Sequence, residues 1–216
     1  MIKGLYAITP DGQDTKRLVK QITHLLEHGV NVIQYRNKMA SPKQQYEQAW
    51  QLRKLTKRFN VPLIINDNLD LAIDVLADGL HLGRQDIAIT VARRQLRSTQ
   101  WLGVSCYNNL DYAQQAITAG ANYLAFGAVF PSITKPQAVR APLSLLSEAK
   151  QSFQVPIVAI GGINPDNISK VLAAGADAVA VISALFAADD IAVAAALFND
   201  SIQRYKKPKL KESASH

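Results

Sequence analysis

Short apolar, β-branched runs alternate with longer segments of helical period along almost the whole chain. The runs are GLYAIT (4–9), VIQYR (32–36), PLIIND (62–67), GLHLG (79–83), WLGVSC (101–106), YLAFGAV (123–129), PIVAIGG (156–162) and AVAVIS (178–183). Between them, segments such as DTKRLVKQITHLLEH (14–28), PKQQYEQAWQLRKLTKRF (42–59) and NISKVLAAG (167–175) carry the helical spacing. Strict alternation predicts a parallel sheet with helices outside it. An internal repeat agrees: LLEHGVNVIQ (25–34), VLADGLHLG (75–83), AITAGANYLAFG (116–127) and VLAAGADAVAVI (171–182) share one layout. Each closes a helix in Leu, Ile or Ala, turns at a glycine and feeds a strand, the glycine standing where a helix end takes positive φ. Eight such strands predict an α/β fold, a single-domain (β/α)8 TIM barrel over residues 1–204. An open doubly wound sheet is the alternative, but no G-x-G-x-x-G follows the first strand.

Composition narrows the class. With 216 residues, 48% of them hydrophobic and 19% charged, the chain reads as globular and long enough for a proper core. No apolar run approaches a membrane span and MIKGLYAITP lacks a signal-peptide layout, so a cytoplasmic protein with no membrane partner is expected. The lone Cys106 excludes an internal disulfide and multi-cysteine zinc sites. The net charge of +7 points toward nucleic acid until it is divided: residues 204–216 hold five Lys/Arg and one Glu, leaving +3 for the rest. The remainder has no basic helix or aromatic platform, so no nucleic-acid partner is expected. Residues 205–216 are expected to be a disordered basic tail. A homo-oligomer is compatible with the sequence but not specified by it.

A barrel places its chemistry at the C-terminal ends of strands. There the chain turns polar: Gln34, Arg36 and Lys38, then Asn66 and Asp67, Asp86, Ser105, Ser132 with Thr134 and Lys135, Gly161-Gly162 and Ser183. Helix starts at Pro42 and Asn164-Pro165 follow these ends. Strand alternation puts Gln34, Arg36 and Lys38 on one face. The two cations are either solvated loop charges or an anion site, Arg suiting bidentate phosphate contact and Lys a point charge. Asp67 is either a helix cap or, with Asp86 on the neighbouring strand, half of a carboxylate pair. Such a pair suits Mg²⁺ or general acid–base chemistry, and the surrounding cations favour a metal–phosphate site. Histidine and cysteine ligands for zinc are missing. Ser132, Thr134 and Lys135 are either an ordinary turn-rich loop or a second phosphate cradle, which Gly161-Gly162 before a helix start would extend. His81 reads as a barrel-interior histidine, Cys106 as no nucleophile, and Trp50 and Trp101 as packing.

The order QYRNK, IIND, DGLHLGRQD, GVSC, FGAVFPSITK, AIGGI and VIS resembles the thiamine-phosphate synthase family from the first strand through the eighth. The resemblance implies a (β/α)8 barrel that condenses 4-amino-2-methyl-5-(diphosphooxymethyl)pyrimidine with 4-methyl-5-(2-phosphooxyethyl)thiazole to thiamine phosphate and pyrophosphate, with Mg²⁺ as cofactor. By the same resemblance, Gln34, Arg36, Lys38 and Asn66 bind the pyrimidine diphosphate, and Asp67 and Asp86 hold the metal. Ser105 and Lys135 touch the pyrimidine substrate; Ser132, Thr134, Gly162, Ile182 and Ser183 hold the thiazole phosphate. Arg36, Lys38 and Lys135 would be catalytic by stabilising charge on the departing pyrophosphate, after which the thiazole nitrogen attacks. The chain departs from the family pattern at Arg84-Gln85, where Arg84 adds charge near Asp86, at Ala128 and Ser132, and at Cys106-Tyr107. Two rivals are a thiazole tautomerase on the same fold, expected to carry a histidine where Ala128 stands, and a non-catalytic phosphate-ligand sensor.

Overall fold

A computed structural model describes residues 2–131 and 139–206. Eight parallel strands close into a barrel in sequence order: β1 (Gly4–Ile8), β2 (Val32–Tyr35), β3 (Leu63–Asn66), β4 (Gly79–Leu82), β5 (Trp101–Tyr107), β6 (Tyr123–Gly127), β7 (Ile157–Ile160) and β8 (Ala178–Val181), which pairs back onto β1. Around it run α1 (Thr15–Glu27), α2 (Pro42–Arg58), α3 (Leu69–Asp74), α4 (Ile89–Gln95), α5 (Leu110–Thr118), α6 (Leu143–Ser152), α7 (Ile168–Ala173), α8 (Ser183–Phe186) and α9 (Ile191–Lys206). The expected (β/α)8 architecture is the observed one. Most strands stop one or two residues short of their apolar runs. Ser183 therefore opens α8 rather than closing β8, and α7 begins at Ile168, after a turn in which Asn164 Oδ1 accepts the amides of Asp166 and Asn167. The last helix reaches Lys206, and residues 207–216 of the expected tail lie outside the described residues.

The internal repeat has a physical basis that its spelling hides. Asn31, Asp78, Asn122 and Asp177 stand immediately before the four even-numbered strands. Each donates its amide to one residue of the preceding odd strand (Leu5, Leu63, Leu102 and Ile157) at 2.7–2.9 Å. Each then accepts that same residue's N–H into its side-chain oxygen, at 2.8 Å in all four cases. A short side-chain acceptor thus satisfies the N–H of the first or second residue of each odd strand. Arg53, Arg93 and Lys150, from α2, α4 and α6, reach the last three of these residues at 2.7, 3.0 and 2.7 Å and tie the outer helices to the barrel floor.

Two residues upstream of each clamp the chain passes through positive φ. Glycine occupies the position in three units, Gly29 (80°), Gly120 (102°) and Gly175 (97°), but Leu76 occupies it at 53° in the fourth. The expectation that Gly79 is the turn glycine of that unit is therefore corrected. Gly79 opens β4, where a Cβ would fall 2.5 Å from the Trp101 carbonyl oxygen.

The apolar layer between barrel and helices is continuous. A smaller cluster fills the barrel itself, with Tyr6, Val32, Ile64, Tyr123 and Val158 among its members. Tyr123 lies across Gly103, its register partner, and a Cβ there would sit 2.0 Å from the ring. Moving toward the strands' C-terminal ends, inward positions change from these residues to Gln34, Asn66, His81 and Ser105, which border open space. Of the two tryptophans expected to pack, Trp50 instead lies 39% exposed on α2, stacked on Tyr46.

Leu76→Gly should raise the unfolding free energy by about 0.5–1 kcal/mol, because the left-handed backbone penalises a side chain there and Leu76 is 53% exposed. Urea denaturation checks it; a loss of stability would show that Leu76 is held by packing instead.

Candidate active site

Two adjoining cavities open at the C-terminal ends of the strands and share Asn66 as a wall. The inner one, about 360 Å³, sits in the barrel mouth between Gln34, Arg36, His81 and Ser105 on one side and Ile160 and Ile182 on the other. The outer one, about 320 Å³, is bordered by Lys38, Asp67 and Asp86.

Arg36 lies one residue beyond the end of β2 at Tyr35 and still borders the same inner cavity as Gln34, as alternation predicts. Thr9 Oγ1 pins its backbone, accepting from Arg36 N at 2.8 Å and donating to Arg36 O at 2.7 Å. The guanidinium then reaches Asp11 Oδ2 at 2.5 Å, and Asp11 Oδ1 accepts the amide of Lys38 at 2.7 Å. Burial alone would raise the Asp11 carboxyl, but the Lys38 amide and the Arg36 guanidinium outweigh it and hold it below the usual range. Behind this turn, the fully buried Gln48 accepts from Tyr35 Oη (2.8 Å) and Asn37 Nδ2 (3.0 Å) and donates to Gln13 O (2.9 Å). The loops after β1 and β2 are thereby locked together. Lys38 parts from Gln34 and Arg36 and faces the outer cavity, its ammonium 2.6 Å from Asp67 Oδ2.

Asp67 is not the helix cap. Asn68 takes that role, its Oδ1 accepting Leu71 N at 3.0 Å, while Asp67 itself adopts φ 61° and donates its amide to His81 O at 2.8 Å. This left-handed residue turns the carboxylate over the rim toward Asp86. Asp86 folds back on its own loop, Oδ2 accepting the Gly83 amide at 2.7 Å, and is hydrogen-bonded to Asp67. Burial pushes both carboxyls up. At Asp67 the Lys38 ammonium and the bond from Asp86 reverse the shift, whereas at Asp86 the bond to Asp67 adds to it. The two shifts run in opposite directions on neighbouring carboxyls that could both be anionic beside a divalent cation. Among the described residues no group of three or more His, Cys, Asp or Glu is arranged for a metal. Two carboxylates next to space for water and phosphate oxygens are the donor set that fits Mg²⁺.

His81 lies inside the barrel as expected, its Nδ1 3.0 Å from Tyr123 Oη and its Nε2 2.8 Å from Ser105 Oγ. Burial of the ring pushes its pKa down to about 4 against the weaker pull of Asp67, so it is neutral near pH 7. Arg84 stands over the Tyr112 ring at 5.5 Å, which accounts for the charge expected beside Asp86.

Gly161-Gly162 do not lead directly into a helix. Their positive φ and missing side chains let the chain after β6 pack closely: a Cβ on Gly161 would meet that of Ala128 at 2.5 Å, and one on Gly162 the Pro131 carbonyl at 2.2 Å. Ile182 borders the inner cavity and Ser183 is the first residue of α8. Ser132, Thr134 and Lys135 lie outside the described residues. The structure thus gathers Gln34, Arg36, Lys38, Asn66, Asp67, Asp86, Ser105 and Ile182 around one mouth. Sequence reasoning missed Asp11, Tyr6 and Tyr123. Asp11 had a signal, being an acid just beyond the first strand's end, the same rim position that marked the others.

The family model described as thiamine monophosphate synthase matches residues 5–185. A thiamine-phosphate synthase of Nitrosomonas eutropha is 50% identical over 198 residues, 92% of this chain and 93% of its own length. One of Methylobacillus flagellatus is 52% identical over 92% of this chain and 94% of its own. Among solved structures, the thiamine phosphate pyrophosphorylase from Pyrococcus furiosus superposes with TM-score 0.85 at 36% identity, covering 94% of this chain and 97% of that one.

Folded His81 takes up a proton near pH 4, the unfolded one near 6.5, so between those values the unfolded state binds more protons and stability falls as pH is lowered. Relative to pH 7, wild type should lose about 2 kcal/mol from this group at pH 5. His81→Asn should lose that much less, as read by urea denaturation at the two pH values; equal losses in both proteins would refute a neutral buried imidazole.

Proposed function

The chain belongs to the thiamine monophosphate synthase family, and we propose that it works as a thiamine-phosphate synthase, joining the aminopyrimidine diphosphate to the thiazole phosphate with release of pyrophosphate. The observation that carries this reading is the hydrogen-bonded Asp67–Asp86 pair with Lys38 on one side and the Arg36 pocket on the other. Mg²⁺ held by Asp67 and Asp86 would supply Lewis-acid neutralisation of the diphosphate. Arg36 and Lys38 act as fixed cations on the leaving group, with no reorganisation needed as its charge grows, and Lys135 adds a third positive charge to it. In the free protein Arg36 and Lys38 already stand opposite carboxylates, so their positions are set before an anion arrives.

The reaction needs no strong base. The pyrimidine amino group stabilises positive charge on the methylene carbon as the C–O bond breaks, and the thiazole nitrogen then closes the new C–N bond. Gln34, Asn66 and Ser105 hold the pyrimidine in the inner cavity, whose apolar wall at Ile160 and Ile182 excludes water from that carbon. Ser183, at the start of the short helix α8 after β8, stands where barrels of this class often bind phosphate, and with Gly162, Ser132 and Thr134 it holds the thiazole phosphate. Tautomerase chemistry is disfavoured because Ala128, 8% exposed and packed under Gly161, has no proton to exchange. The described residues include no helix long and apolar enough to cross a membrane. The protein's partners in this reading are the two small-molecule substrates, with no nucleic acid or membrane and with a homo-oligomer compatible, and its setting is the cytoplasm.

Purified protein mixed with both substrates and Mg²⁺ should form thiamine phosphate, and a chelator should stop it. Asp67→Asn should cut turnover at least ~100-fold while leaving Tm in place, since Asn tolerates the left-handed backbone that Asp67 adopts. Turnover indifferent to both chelator and substitution would remove the metal–diphosphate mechanism; tight binding without product would indicate a sensor.

A further inference from the structure

Five side chains from five strands form an unbroken hydrogen-bonded line across the barrel under the mouth. Gln34 Nε2 donates to Tyr6 Oη at 2.8 Å, Tyr6 Oη meets Tyr123 Oη at 2.9 Å, Tyr123 Oη meets His81 Nδ1 at 3.0 Å, and His81 Nε2 meets Ser105 Oγ at 2.8 Å. Tyr6 and Tyr123 are 1% and 0% exposed, so neither phenol can turn to water.

Counting protons gives the line a direction. Gln34 supplies a fixed N–H, which makes Tyr6 Oη an acceptor there and frees its own proton for Tyr123. Tyr123 then donates to His81 Nδ1, the imidazole carries its proton on Nε2, and that N–H donates to Ser105 Oγ. Every donor in the line has an acceptor. Running the last three bonds the other way would point Tyr123 at Tyr6 and leave the Tyr6 proton with no acceptor in the line. Burial, which pushes both phenols up and the imidazole down, keeps all three rings uncharged and the direction intact.

We propose that Tyr6, Tyr123 and His81 are positioning residues that polarise the two ends of this line, leaving Ser105 to offer its O–H and Gln34 its carbonyl oxygen to a ring bound between them. That pattern fits a heteroaromatic ring with an exocyclic amino group beside a lone-pair ring nitrogen. It opposes the oxo tautomer, which presents a carbonyl to Gln34 and a ring N–H to Ser105, so that a buried acceptor is left facing an acceptor. The identity of the ring rests on the synthase reading above; the direction of the line does not.

Two measurements test it. In free protein, ¹⁵N NMR of His81 should show the Nε2–H tautomer at neutral pH; the Nδ1–H tautomer would overturn the proposal outright. Calorimetric binding of 4-amino-2-methyl-5-(diphosphooxymethyl)pyrimidine should exceed that of its 4-oxo analogue by at least ~10-fold. Tyr123→Phe should shrink that preference at least several-fold and leave binding of the thiazole phosphate unchanged. An unaltered preference, or equal weakening of both pyrimidines and the thiazole, would overturn the role. If Tyr123→Phe does not fold, Tyr6→Phe interrupts the line one step away with the same expectations. A wild type with the expected tautomer and preference that makes no thiamine phosphate would defeat the synthase reading alone.

Discussion

Closure of the sheet is the constraint on which everything else rests. With β8 paired to β1, no strand has a free edge, and every inward side chain is assigned a height and a neighbour by register. The four Asn/Asp clamps fix that register at the floor, using two hydrogen bonds each where the strands begin. Because the floor is held by clamps and the middle by Tyr6, Tyr123 and their apolar neighbours, the upper inward positions are free to be polar. Gln34, Asn66, His81 and Ser105 occupy them, and the site is built from that freedom.

At the mouth, electrostatics is organised as balanced pairs. Arg36 has Asp11, Lys38 has Asp67, and Asp67 stands beside Asp86, the two carboxyls shifted in opposite directions. None of these charges is isolated in the free protein, and each is partly exposed, so the pairs stabilise the fold only modestly. Their importance is geometric. A cluster already aligned against its own counter-ions can exchange them for phosphate oxygens and a divalent cation with little rearrangement.

The barrel was legible because strand and helix periods alternate without a break and the repeat recurs four times. The glycine of the second repeat misled for a physical reason. The backbone there demands positive φ at Leu76, a residue that gives no such signal, while Gly79 is small because Trp101 approaches it. Rim residues were legible wherever a polar side chain ended an apolar run, as with Asn66 and Asp86. The shared face of Gln34 and Arg36 was legible too, both bordering the inner cavity; that of Lys38 was not, since alternation holds only within a strand and β2 stops at Tyr35. Asp67 was left between two readings because a cap and a rim carboxylate are spelled alike. Only the backbone shows that Asn68 caps α3. Tyr6 and Tyr123 sit inside apolar runs and carry no signal of their own there; that their hydroxyls join one line needs three dimensions.

The clamps recur on every second strand, never on every strand. Each therefore unites an odd strand with the even strand after it, so the barrel is assembled from four stapled quarters, and neighbouring quarters meet through the strand ladder without such a staple. A quarter does not satisfy all of its own opening donors: Gly4 and Trp101, the first residues of β1 and β5, donate to the carbonyls of Asp177 and Asp78 in the quarter before. The side-chain staples therefore set register within a quarter, while backbone bonds alone carry it from one quarter to the next and around the closed ring.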